Sequence, residues 1–255
     1  MQTITIPPGR VVRVLLAAVA LLVLANTAAQ VMLRVAGHDY VHGLVPLVDL
    51  AGEANLPTWF STAALLACAL LLALIAAVRQ GDRFRRHWAG LALGFLYLSA
   101  DEAARLHELL IAPVRAALHA SGPFHFAWVI PALALVAVAA LAYLPFLRAL
   151  PADTRRRAIA AAALYLGGAV GMEMVGGAWL ERFGDDAVYA VAVALEETLE
   201  MLGAAAFVSA LLHYIRRHVG PVRLRVADGG ERQAGPAAVQ PLDERKAAET
   251  AVAAG

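Results

Sequence analysis

Residues Leu91–Leu110, LALGFLYLSADEAARLHELL, decide which kind of fold this chain can adopt. The stretch begins as an apolar helix, and charged residues then appear where a membrane span would still be running. An ionisable group in hydrocarbon costs about 2.5–3.5 kcal/mol or more, so charges inside a span indicate a functional site. The ionisable residues of this stretch are Asp101, Glu102, Arg105, His107 and Glu108.

The composition of the whole chain is that of an integral membrane protein. Apolar residues make up 61% of the 255 residues and charged residues 16%. An ordinary soluble domain has roughly 25% charged residues. Several apolar runs reach the length of about 20 residues that a bilayer-spanning helix needs. No basic patch with interleaved aromatic residues indicates a nucleic-acid partner, so membrane lipids are the partners that the composition predicts.

The apolar runs predict an all-α fold, a polytopic bundle of six transmembrane helices. We expect a transmembrane domain over residues 1–217 and a disordered cytoplasmic tail over residues 218–255. The tail is rich in Gly, Pro, Ala and mixed charges, and it cannot bury enough apolar surface to fold alone. The six predicted spans are Val11–Leu33, Trp59–Val78, Trp88–Ile111, Phe126–Leu147, Ala158–Leu180 and Val188–Ile215.

Arginine residues divide the connecting segments into two sides. One side of the predicted bundle carries twelve arginines, and the other carries only Arg34, Arg115 and Arg182. By the positive-inside rule the arginine-rich side is cytoplasmic, which places both termini in the cytoplasm. The twelve arginines are Arg10, Arg13, Arg79, Arg83, Arg85, Arg86, Arg148, Arg155, Arg156, Arg157, Arg216 and Arg217.

The first span allows two interpretations. Arg10 and Arg13, the apolar run that follows them and the small residues ANTAA have the order of a cleaved signal peptide. The helical pattern, however, continues to Leu33 and has a single polar stripe suited to a bundle interior. We favour a retained span and leave cleavage open. The stripe consists of Asn26, Gln30 and Arg34, which are spaced four residues apart.

Three predicted helices place carboxylates at one depth of the membrane. At a helical rise of about 1.5 Å per residue, the third and fifth spans carry theirs about 20 Å from the cytoplasmic boundary. The sixth span carries its carboxylates at roughly 12–18 Å. We therefore predict a proton- or cation-binding site. Its residues are Asp101, Glu102, Glu173, Glu196, Glu197 and Glu200.

Arg105 and Glu108 are predicted to balance charge beside this site. With Asp101 they are spaced i, i+4 and i+7, which puts all three on one face of the third helix. This ladder of charges could also be purely structural. Arg105 is the one certain cation beside these carboxylates, and His107 adds a second if it is protonated. The carboxylates therefore need shared protons, a bound metal cation, an inward-reaching Arg34 or Arg182, or a water-filled cavity to compensate them.

A divalent metal is the alternative occupant. Oxygen and imidazole ligands together suit zinc, iron or manganese, and the candidate ligands are His107, Asp101, Glu173 and Glu196. His38 and His42 could share a metal if their segment is helical. The sequence has neither an HExxH motif nor the ExxH pairs of di-iron bundles.

Four segments resemble an uncharacterised family of small bacterial polytopic membrane proteins, some of which carry the label multidrug transporter. The resemblance covers most of the membrane domain and none of the tail. It implies a location in the bacterial inner membrane and no established activity, substrate or cofactor. The segments are EANLPTWFS (Glu53–Ser61), FLYLSADEAARLHE (Phe95–Glu108), YLGGAVGMEMVGG (Tyr165–Gly177) and EETLEMLG (Glu196–Gly203).

Three functions are compatible with this pattern. The first is a proton- or cation-coupled transporter, in which ion binding neutralises the acidic residues. The second is a metal-dependent enzyme acting on a lipid or another amphiphile, with one glutamate as general base. The third is a non-catalytic membrane partner whose charge ladder is structural. The first is the working hypothesis, so we do not expect an enzyme; the catalytic residues, the substrate and the oligomeric state stay unknown.

Overall fold

The computed structural model describes residues 7–222, and the regular structure in that range is entirely helical. The prediction of an all-α fold is thereby confirmed. The predicted tail lies outside the described residues from position 223 onward, and the last helix runs through Val219, past the predicted domain boundary at 217. The α-helices of residues 7–222 are α1 (Pro8–Arg34), α2 (Leu44–Val48), α3 (Leu56–Val78), α4 (Arg85–Ala104), α5 (Ile111–Leu118), α6 (Val129–Ala149), α7 (Ala152–Leu166), α8 (Glu173–Phe183) and α9 (Ala187–Tyr214).

Short segments of other helical types complete the helical structure of the described range. Residues Gly167–Met172 form a π-helical turn that joins α7 to α8, and Ile215–Val219 form another after α9. Single 3₁₀ turns occupy Val41–Gly43, Leu106–Leu110 and Gly122–Phe124.

Four helical stretches within residues 7–222 are long and apolar enough to cross a membrane. They are Pro8–Arg34, Leu56–Val78, Val129–Ala149 and Ala152–Phe183, the last of which comprises α7, the π-helical turn and α8. The α4 and α9 helices are 20 and 28 residues long. Both helices carry acidic residues of the predicted site. These residues lower the mean hydropathy of α4 and α9, which are not among the four stretches.

Two helices begin at caps that the sequence supplies. The Asn55 side chain accepts a hydrogen bond from the backbone N–H of Thr58 at the start of α3, 3.2 Å away. The Asp186 carboxylate accepts hydrogen bonds from the N–H groups of Val188 and Tyr189 at the start of α9, each 2.9 Å long. Such caps satisfy backbone donors that have no partner within the helix.

The bundle has two chemically different ends, with α9 running between them. At one end α1, α4 and α7 begin and α3, α6 and α9 end. Of the 16 arginines in residues 7–222, twelve lie there, together with only two carboxylates, those of Asp82 and Asp153. We call this the arginine end. The opposite end, the carboxylate end, holds the other 13 carboxylates of the same range.

Aromatic side chains pack the arginine end. Trp88 of α4 is 2% exposed. Its ring lies 4.8 Å from the Phe146 ring of α6 and 4.9 Å from the Tyr214 ring of α9. Arg79, at the end of α3, donates to the backbone carbonyl of His218. Three helices that are distant in sequence are therefore joined at this end.

The polar stripe on α1 faces the rest of the protein. Asn26 is buried and accepts a hydrogen bond from the backbone N–H of Leu50, 3.0 Å away. One and two turns further on, Gln30 donates to Asp49, and Arg34 forms an ion pair of 2.8 Å with Asp185. The stripe thus fastens α1 to two connecting segments of the carboxylate end.

Candidate functional site

The α4 helix ends at Ala104 because the chain turns sharply at Arg105, whose φ is +53°. Asp101 stabilises the turn. Its carboxylate accepts a hydrogen bond of 2.7 Å from the backbone N–H of His107, and its second oxygen lies 2.9 Å from the Nδ1 atom of that ring. The predicted continuation of the third span to Ile111 is wrong, because the Asp101 side chain supplies the next turn with a partner outside the helix.

The predicted ladder of charges along one helical face is wrong for the same reason. Arg105 leaves the helix and forms ion pairs with Glu53, in the segment before α3, and with Glu108, at 3.5 Å. It therefore balances these two carboxylates and not Asp101. Burial and the charge of Glu108 raise the pKa of Glu53, although Arg105 lowers it. Glu53 is a neighbour of the site that sequence reasoning missed.

A tryptophan holds Glu173 in place. The π-helical turn Gly167–Met172 ends at Glu173, and such turns are frequent at functional sites. The Nε1 atom of Trp128 donates a 2.9 Å hydrogen bond to the Glu173 carboxylate. The Trp128 ring also packs against the His107 ring, with centroids 4.6 Å apart. Trp128 therefore bridges the acidic helix α8 and the turn that follows α4.

Gly168 allows a close contact between the π-helical turn and Glu196–Glu200, which we call the acidic turn of α9. A Cβ atom on Gly168 would lie 2.6 Å from the backbone carbonyl oxygen of Glu196 and 2.8 Å from the Cγ atom of Glu200. Only a residue without a side chain fits there. The Glu196 and Glu173 carboxyl groups are within hydrogen-bonding reach of each other.

The remaining carboxyl groups surround this pair. Glu197 interacts electrostatically with Glu102 and Glu173, and Glu200 does so with Glu197 and Glu102. All six predicted residues are partly buried. The structure therefore brings together side chains that are up to 99 residues apart, from Asp101 to Glu200. We call these six residues the carboxylate cluster: Asp101, Glu102, Glu173, Glu196, Glu197 and Glu200.

His107 is the basic side chain next to the cluster, in the turn after α4. Burial lowers the pKa of His107, whereas the hydrogen bond to Asp101 and the charges of Asp101, Glu173 and Glu108 raise it; the raising effects prevail. The imidazolium form is therefore favoured beside the cluster. One cation is small compensation for six carboxyl groups.

The predicted metal ligands divide into two pairs. Asp101 contacts His107, and Glu173 contacts Glu196. Within residues 7–222 no group of three or more His, Cys, Asp or Glu side chains is arranged so that it could hold a metal ion. The helical spacing considered for His38 and His42 is wrong, because His42 has a left-handed backbone with φ +56°. The metal-dependent enzyme stays a hypothesis without geometric support.

A family model described as a domain of unknown function (DUF8692) matches residues 14–215. This match extends from the first turns of α1 to the residue after α9, so it includes the whole carboxylate cluster. No curated protein and no solved structure matches the chain.

Proposed function

The chain belongs to the DUF8692 family, and we propose that it is a small bacterial inner-membrane transporter whose carboxylate cluster binds protons or cations. The observation that carries this proposal is the close approach of Glu196 and Glu200 of α9 to the π-helical turn at Gly168, beside Glu173, which Trp128 joins to the Asp101–His107 turn after α4. Ionisable residues inside a membrane protein are costly, and they characterise ion pathways and proton relays.

We further propose that six helical stretches cross the membrane, with both termini in the cytoplasm. Four stretches have the length and apolarity of a span, and α4 and α9 join them because their acidic residues in the cluster are partly buried inside the protein. The concentration of arginines at one end supports a cytoplasmic location for that end. The carboxylate cluster then lies nearer the outer side of the membrane.

Ion binding would act by removing repulsion between the helices. Six ionised carboxyl groups repel each other strongly in a medium of low dielectric constant, and one neighbouring imidazolium would compensate only a small part of this repulsion. A hydrogen bond between the Glu173 and Glu196 carboxyl groups needs one proton between them. Uptake of protons or a cation lets the π-helical turn and α9 stay in contact at Gly168, and release separates them.

Proton flux in proteoliposomes tests the proposal. The full-length protein is reconstituted with a pH-sensitive dye inside, and an inward proton gradient is applied with the membrane potential clamped. We expect wild-type vesicles to acidify faster than empty ones, and Glu196→Gln and Glu173→Gln to abolish the difference. The matched control is Glu181→Gln, a glutamate outside the cluster that binds Gly122 and His125, which should retain the flux. The same experiment with Na⁺ and K⁺ gradients tests the cation form of the proposal.

Equal rates for wild type and both cluster variants under all three gradients would refute the proposal. Circular dichroism and size-exclusion chromatography of each variant identify those that lose activity by unfolding. Glu200→Gln serves as a further variant if Glu196→Gln does not fold.

A further inference from the structure

The α6 helix contacts the bundle at its two ends. At the carboxylate end Val129 is fully buried, and the preceding Trp128 donates to Glu173. At the arginine end Phe146 is 3% exposed and packs against the rings of Trp88 and Phe84. These two contacts fix the position of the helix.

Between those contacts α6 stands away from the other helices. Nine of the ten residues 133–142 are exposed, and Val136 alone among the ten is intermediate. Leu135 and Leu141 are 67% and 73% exposed. Ten residues cover almost three helical turns, so exposure extends to every side of the helix.

Positions on the neighbouring helices also adjoin open space. Gly94 of α4 has nothing within 4 Å of a Cβ position, and Tyr97 one turn further is 52% exposed. In the helical stretch Ala152–Phe183, Gly167 also has open space around it. An apolar gap therefore lies between α6 and its neighbours. In a bilayer, hydrocarbon chains occupy such a space.

Arginines surround the gap where it closes at the arginine end. Tyr143 of α6 donates to the backbone carbonyl of His87 in the first turn of α4. Arg83 stacks on the ring of Phe84, 4.5 Å from its centroid, and both Arg83 and Arg86 are exposed. Arg83 precedes α4 and Arg86 lies one turn before Gly90, which packs against Tyr143 of α6. Two guanidinium groups therefore lie near the contact between α4 and α6.

The carboxylates of this end have partners. Asp82 contacts Arg79 and accepts from the backbone N–H of Phe84, and Asp153 lies 2.8 Å from a ring nitrogen of His213. Residues 7–222 contain no lysine, so the permanently charged cations in this range are arginines. A guanidinium group binds phosphate through two parallel hydrogen bonds, which makes arginine well suited to phosphate recognition.

We propose that this gap is a binding site for an anionic phospholipid. One acyl chain lies along residues 133–142 of α6, and the phosphate binds at Arg83 and Arg86. The positive charge of the surrounding surface matches the lipid phosphate, and the apolar gap matches the acyl chain. The proposal is independent of ion transport by the carboxylate cluster.

Native mass spectrometry of the full-length protein in detergent tests the site. The probes are dioleoyl phosphatidylglycerol and dioleoyl phosphatidylcholine, which share their acyl chains and differ in net charge. We expect retention of the anionic lipid with an affinity about tenfold higher. Equal retention of the two lipids would refute the proposal. Displacement of the lipid by millimolar inorganic phosphate, or by an oligonucleotide, would also refute it, because each points to a simple anion- or nucleic-acid-binding surface.

Two matched pairs of variants locate the bound lipid. Arg83→Gln with Arg86→Gln should weaken phosphatidylglycerol binding by about tenfold or more. Arg10→Gln with Arg13→Gln removes the same charge from α1 and should have a markedly smaller effect. Equal effects would place the lipid elsewhere and overturn the proposal.

The second pair tests the gap itself. Ala140 lies one turn from Val136 on the side of α6 that faces the bundle, whereas Ala134 lies on the opposite side. Ala140→Phe should fill the gap and reduce the number of retained lipids, and Ala134→Phe should not. Retention unchanged by Ala140→Phe would show that no acyl chain lies there. Thermal unfolding without lipid checks that both variants are folded.

Discussion

The arginine end and the carboxylate end are built from the same helices in opposite ways. Toward the arginine end α9 is lined with buried apolar residues such as Val208, Leu211 and Tyr214, and α4 begins with the buried Trp88. Toward the carboxylate end both helices present acidic residues, and the chain departs from regular α-helix at Arg105 and at the π-helical turn. Dense packing that stabilises the bundle is thus separated from the polar region in which we propose that ions bind.

The largest effect expected from this contrast is that of Trp88→Ala at the arginine end. The substitution removes a buried indole that joins α4, α6 and α9, and such truncations cost about 3–5 kcal/mol. The free energy of unfolding can be measured by titration with a denaturing detergent in mixed micelles. Trp59 on α3 is 70% exposed, so Trp59→Ala is the matched control and should cost about 0.5 kcal/mol or less. Equal losses for the two variants would contradict the assignment of the core to this end.

A smaller effect is expected for Gly168→Ala at the carboxylate end. The added methyl group would meet the backbone of Glu196, which cannot move aside as a flexible side chain can. Overpacking of this kind costs about 1–3 kcal/mol. It should also change proton flux, because it pushes the acidic turn of α9 away from Glu173. At Gly171 the nearest atom to a Cβ position is 3.9 Å away.

Gly171→Ala is therefore the control for the glycine contact. It introduces the same methyl group into the same π-helical turn without meeting another helix, and it should leave flux and stability close to wild type. If the two alanine variants behave alike, the close approach at Gly168 has no role in the site.

Much of this contrast was predictable from helical periodicity, because the position of each carboxylate along its helix depends on local sequence alone. The location of Asp101, Glu173 and Glu196 at one end of the bundle is such a property. The turn at Arg105 was not predictable in the same way, since it depends on the Asp101 carboxylate competing with the helix for the next N–H groups.

The roles of Glu53 and Trp128 depend on partners distant in sequence. Trp128 donates to a residue 45 positions away. Arg105 pairs with a glutamate 52 positions before it, in a different connecting segment. Periodicity assigns a face to each residue but does not say which other segment that face meets. A tryptophan at the predicted beginning of a span, level with the acidic residues, was the available signal for Trp128.

The smallest effect expected at the carboxylate end concerns the cap of α9. Hydrogen bonds from the backbone N–H of Tyr189, the indole of Trp179 and the N–H of Val188 lower the pKa of Asp186 below its usual value of 3.8, although desolvation opposes them. The ionised cap therefore stabilises α9 above about pH 4, and its contribution is lost as the pH falls through the lowered pKa. Amide exchange at Tyr189 should accelerate over this acidic range relative to Thr58.

Thr58 is the internal reference because its N–H binds the amide side chain of Asn55, which does not titrate. In Asp186→Asn the acid-dependent difference between the two amides should disappear, since the new side chain can still accept hydrogen bonds but has no charge to lose. A difference that persists in this variant would assign the acid sensitivity to another group. Its disappearance would mean that α9 is held at the carboxylate end by a cap that titrates separately from the cluster, so proton uptake measured above pH 5 can be attributed to other groups.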